Sequence, residues 1–157
     1  MKKGLMTLLL LAAAFLLAVT PALAETTGTE DWVAENVDGT VWRSEDHYLE
    51  ILSNGDAFEV LITCFNSDWE HTEWSYTCTY DAESGILTAS YLVCDNVAFD
   101  ESENSSPDRT NIIDSACEAT FSLNEEGNIV LLNAADESLE GRIFIKVVYD
   151  DPEAAVG

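Results

Sequence analysis

The chain has 157 residues, with 30 Asp and Glu against 6 Lys and Arg, for a formal charge of −24. That balance excludes nucleic-acid phosphates and anionic membranes as partners, because both need clustered cations. The length suits one domain of about 100–200 residues, and beyond the N-terminus no apolar stretch approaches the ~18 residues of a spanning helix.

Lys2 and Lys3 precede an apolar run from Leu8 to Val19, then Pro21 and the small-residue triplet Ala22-Leu23-Ala24. This pattern predicts a secretory signal peptide over residues 1–24, cleaved after Ala24. Glu25 rather than Cys follows, so a lipoprotein is not expected. The protein is expected to be secreted or periplasmic. It keeps Arg43, Arg109, Arg142 and Lys146 as its basic residues.

Residues 25–38 read as a flexible lead-in, with a short helix from Glu30 to Glu35 as the alternative. A short first strand follows at Thr40 to Arg43. His47 to Ser53 and Ala57 to Phe65 both alternate apolar and polar, and Asn54-Gly55 between them is a strong signal for a type I′ hairpin turn. With Asn54 and Gly55 central, Ile51 faces Phe58, Leu49 faces Val60 and His47 faces Ile62. The two apolar faces then coincide.

Residues 66–72 read as a polar loop carrying Trp69. Glu73 to Tyr80 alternates again, and a turn at Asp81 to Gly85 leads to a strand from Ile86 to Cys94. Asp95 to Ser115 reads as a long acidic connection, beyond the usual loop length. Further strands are expected at Cys117 to Leu123, Ile129 to Ala134 and Arg142 to Tyr149, and residues 150–157 read as an acidic tail.

Eight sequential strands with one apolar face predict an all-β antiparallel up-and-down meander over residues 39–149. It closes into a small barrel, with a two-sheet β-sandwich as the alternative. The expected core is Trp42, Leu49, Ile51, Phe58, Val60, Ile62, Trp74, Tyr76, Phe121, Leu123, Ile129, Leu131, Ile143 and Ile145.

The run Asp38-Gly39-Thr40-Val41-Trp42 ahead of such a meander resembles the opening of lipocalin-like (calycin-type) domains of small secreted bacterial proteins. The spacing here is Gly-x-x-Trp where that family has Gly-x-Trp. The resemblance implies that Trp42 plugs one barrel end and that a late basic residue, Arg142 or Lys146, packs across it. Tyr80-Asp81 to Gly85 resembles a turn of similar exported proteins.

The four cysteines, Cys64, Cys78, Cys94 and Cys117, suggest two disulfides in an exported chain. Flanking-strand geometry favours Cys64–Cys78 and Cys94–Cys117; four buried free thiols are the alternative. Cys94 points inward only if a bulge intervenes in its strand.

The densest patch is Asp68-Trp69-Glu70-His71-Thr72-Glu73-Trp74. Its aromatics suit stacking on a sugar ring, and His71 with Asp68 or Glu73 has metal-ligating chemistry, although a core role for Trp74 and a solvated loop account for most of it. Candidate ligand contacts are Trp69, His71, Trp74, Tyr76 and Tyr91. His47 reads as a barrel-end core residue. With two histidines and no nucleophile elbow, phosphate loop or His-Glu-x-x-His helix, no catalytic residue, cofactor or metal centre is expected. The expectation is therefore a monomeric, exported, non-enzymatic barrel that binds a small molecule, a glycan or a protein. The alternatives are a carbohydrate- or calcium-dependent surface module using the acidic connection, and an enzyme acting inside the barrel.

Overall fold

A computed structural model describes residues 31–100 and 106–148. The expected signal peptide, residues 25–30 of the lead-in and the acidic tail lie outside the described residues. The order is α1 (Trp32–Asn36), β1 (Val41–Ser44), β2 (His47–Asn54), β3 (Ala57–Ser67), β4 (Glu70–Asp81), β5 (Ile86–Ala98), β6 (Asp108–Ala116), β7 (Thr120–Leu123), β8 (Ile129–Leu132) and β9 (Ile143–Lys146).

Eight strands close an antiparallel barrel in the ring β1-β2-β3-β4-β5-β7-β8-β9, and β9 returns to β1. The ninth strand, β6, stands outside the ring. β5 is long enough to serve both: its first half pairs with β7 at Leu87 and Thr88, its second half with β6 from Tyr91 to Ala98. Most of the stretch expected to be an acidic loop is therefore strand.

The β2–β3 hairpin forms, but its turn sits one residue later than expected. Asn54 pairs with Ala57, so Gly55 and Asp56 are the central residues. Gly55 takes φ +65° and Asp56 needs no positive φ, which fits a turn with glycine at its first central position. The register moves by two. Ile51 now faces Val60, Leu49 faces Ile62 and His47 faces Cys64 rather than Ile62. An even shift preserves the faces, so the apolar sides still coincide.

The core follows the alternation. Trp42, Leu49, Ile51, Val60, Ile62, Trp74, Tyr76, Phe121, Ile129 and Leu131 are buried as expected, and Phe58 is half-buried against them. On β9 the parity is opposite to expectation: Phe144 is buried, while Ile143 and Ile145 are exposed. The partners decide this. Inward Ile129 pairs with Phe144, and inward Trp42 pairs with Lys146. Leu123, at the end of β7, is exposed rather than core. In β5 an extra residue at Ser90, between the pairs Thr77–Tyr91 and Cys78–Ala89, turns Leu92 and Cys94 inward.

The end of the lead-in is ordered structure. Asp31 caps α1 by accepting from the Ala34 N–H at 3.1 Å. Val33 is fully buried, and the Trp32 indole donates to the Gly85 carbonyl at 2.8 Å. α1 thereby covers the barrel end formed by Tyr80 and the β4–β5 turn. Lys146 Nζ lies 6.0 Å from the Trp42 ring and donates to Asn36 Oδ1 at 2.8 Å.

All four thiols are free, and the register separates the expected pairs. Cys78 neighbours Phe58, whereas Cys64 stands opposite Thr72. Six residues of strand lie between those positions, ~20 Å at ~3.3 Å per residue, where a disulfide needs Cα atoms within ~7 Å. The Cys117 N–H donates to the Ser90 carbonyl, four residues along β5 from Cys94, or ~13 Å.

Candidate functional site

The five expected ligand contacts do not share a surface. Trp74 and Tyr76 point into the barrel and are buried. The Trp74 indole donates to Asp136 Oδ2 at 2.8 Å, and the Tyr76 hydroxyl donates to the Ala134 carbonyl at 2.7 Å. They are wall residues that hold the β8–β9 loop over this end of the barrel. Trp69 is exposed at the β3–β4 turn, His71 is buried on the outer side of β4, and Tyr91 is exposed on β5 with its hydroxyl on Asp114.

The outer side of β2–β5 carries a continuous aromatic run. Tyr48 meets Phe65 edge to face at 5.8 Å, Phe65 meets His71 at 5.6 Å, and Phe99 stacks on His71 at 5.5 Å. Phe65, Trp69 and Phe99 are 58%, 52% and 43% exposed, which is unusual for three aromatics at one end of a domain. The Phe99 N–H donates to the Trp69 carbonyl at 2.8 Å, tying the exit from β5 to the β3–β4 turn. A groove of about 260 Å³ continues the run, lined by Val41, Tyr48, Glu50, Leu61, Thr63 and Phe65.

Beside these rings lies an ionic chain. His71 Nε2 is 2.8 Å from Glu73 Oε1, and Arg109 donates to Glu73 Oε2 at 2.7 Å and lies 3.5 Å from Asp95. Burial pushes the Glu73 carboxyl up, but the bonds from His71 and Arg109 outweigh it and hold the group below the usual carboxylate range. A cation already neutralises Glu73, so the metal chemistry open to His71 from sequence is disfavoured here. Asp95 and Asp114 of the acidic connection likewise have partners, Arg109 with Asn111 and Tyr91.

A second cluster, missed from sequence, sits at the rim of the barrel end opposite α1, with His47 and Cys64 buried and Asp46 exposed. His47 begins β2 directly opposite Cys64 on β3, and Asp46 precedes it in the β1–β2 turn. His47 Nδ1 is 2.7 Å from Asp46 Oδ1. One donor atom from each of Asp46, His47 and Cys64 falls within 4.8 Å of the other two. The Trp74 ring lies 5.6 Å from the His47 ring at 32°, fixing the imidazole plane. Burial, followed by the charge of Asp46 and a hydrogen bond to it, pushes the Cys64 thiol up. A nucleophilic cysteine needs the opposite shift. The clue in the sequence was the turn: with Gly55-Asp56 central, His47 falls opposite Cys64.

Compared with known proteins, the chain matches no protein family, no curated protein and no solved structure.

Proposed function

We propose that the protein is an exported, non-enzymatic binding domain on a lipocalin-like barrel, and that it takes a neutral carbohydrate on the outer aromatic run rather than a ligand in the barrel. The observation that carries this is the joint exposure of Phe65, Trp69 and Phe99 at one end of the domain. Flat apolar rings stack on the C–H face of a sugar, while polar side chains lining the adjoining groove, such as Glu50 and Thr63, supply hydrogen bonds. A formal charge of −24 disfavours an anionic ligand. The meeting of Tyr76 and Phe121 across the interior, 5.3 Å between ring centroids, favours a ligand outside. The contact of Lys146 with Trp42 supports the lipocalin-like resemblance.

Titration calorimetry with neutral oligosaccharides chosen from a glycan array tests the reading. Binding that falls at least tenfold in Trp69→Ala and Phe99→Ala, with an unchanged unfolding midpoint, is the expected result. No glycan bound on the array, or full affinity in Trp69→Ala, overturns it.

A further inference from the structure

We propose that Asp46, His47 and Cys64 form a binding site for a divalent transition ion of the zinc type, with three protein ligands and a fourth position open to water or to a ligand's donor atom. The site is separate from the aromatic run and does not depend on how that surface is used.

Three observations support it. First, the donors are an imidazole nitrogen, a thiol sulfur and a carboxylate oxygen, with one atom of each inside a 4.8 Å span. A tetrahedral zinc ion holds such atoms at ~2.0–2.3 Å from itself, hence ~3.3–3.6 Å from one another; within the 4.8 Å span the widest edge must close by at most about 1.5 Å, and the 2.7 Å edge between His47 and Asp46 must open by somewhat under about 1 Å. Second, two of the three come from facing positions on paired strands, His47 and Cys64, which gives the rigid support a metal site needs. Third, the remaining donor can adjust. Asp46 is 65% exposed on its side chain and lies in a two-residue turn, so its carboxylate can move apart from Nδ1 to admit an ion.

The donor set also selects the ion. Thiolate and imidazole favour zinc-type ions over calcium or magnesium, which take oxygen ligands. Without metal, the His47 imidazole hydrogen-bonds to Asp46 through Nδ1. On binding, the thiol loses its proton to solvent and sulfur donates to the metal. The imidazole proton that faces Asp46 leaves Nδ1 and is replaced by one on Nε2 through exchange with solvent, so that Nδ1 binds the ion with no net change at the ring. One proton is released per ion, and the Asp46 carboxylate and Cys64 thiolate neutralise the two positive charges.

Cobalt(II) is the probe, because a thiolate ligand gives a sulfur-to-cobalt charge-transfer band that surface carboxylates cannot produce. The purified, reduced protein is expected to develop this band up to one equivalent. It should be lost in Cys64→Ser and retained in Cys117→Ser, a cysteine outside the cluster. Asp46→Asn, on an exposed turn that does not threaten folding, should keep the band but weaken cobalt retention at least tenfold in competition with a chelator. Cobalt bound without the band, a band that survives Cys64→Ser, or unchanged retention in Asp46→Asn overturns the site.

Discussion

Cys64 and Phe65 are neighbours in the chain and stand on opposite sides of β3. The thiol is buried in the barrel, and the phenyl ring is 58% exposed on the outer face. The metal cluster and the aromatic run are therefore back to back across one sheet, held by the same strands but sharing no side chain. This arrangement makes the energetics of the two sides distinct.

Ile62→Ala, on the inner side of β3 and fully buried, should cost about 2–5 kcal/mol, the range for a large-to-small core change. Phe65→Ala on the outer side should cost under about 1 kcal/mol. Urea unfolding of the two variants measures both, and equal losses would contradict the assignment of faces.

Tyr76→Phe should cost about 1–2 kcal/mol while keeping the ring contact with Phe121, because it leaves the buried Ala134 carbonyl without its donor. Its unfolding midpoint, compared with that of the wild type, tests whether the β8–β9 loop is held from inside the barrel.

Gly55→Ala should destabilise by about 1 kcal/mol. The added Cβ meets nothing within 4 Å, and the loss comes from φ +65° alone. Gly55→Asn should recover part of it, since Asn tolerates that region better. Equilibrium unfolding of both variants separates backbone strain from crowding.

Glu73 gives a pH dependence with a definite sign. Its folded pKa lies below the ordinary value of 4.5, so it contributes stability above that pH and loses it as pH falls through the folded value. Glu73→Gln should be less stable than wild type at about pH 6, and the gap should narrow by about pH 3. Denaturant titrations at the two pH values check this; a gap that widens on acidification would refute it.

Peptide mapping of the protein after thiol labelling should find neither a Cys64–Cys78 nor a Cys94–Cys117 crosslink. Burial pushes the Cys78 thiol up to about 12 and the Cys94 thiol up to about 11. Both should label slowly until the chain is unfolded.

The barrel was legible in the sequence wherever one side of a strand meets the core and the other meets water. That holds for β2, β3 and β4, where Leu49, Ile62 and Tyr76 fall as the alternation requires. It fails for β6, which is exposed along nearly its whole length and so carries no alternation. It fails again on β9, where four residues with three large apolar side chains, Ile143, Phe144 and Ile145, admit either facing. The β1–β2 turn and β3 are distant in sequence, so the Asp46, His47 and Cys64 cluster depends on register, and a hairpin turn displaced by one residue was enough to hide it. Trp69 and His71 were drawn together by proximity in the chain, but strand pairing set them on the outside, away from Trp74.

The ring closes through β7, so β6 is an addition to a shape already complete. Sequence drift at that strand's exposed positions can remodel the ground around Glu73 and Arg109, provided Ile113, which packs against the core, stays apolar. Novelty in what the surface recognises can therefore accumulate there while the inherited architecture stays untouched.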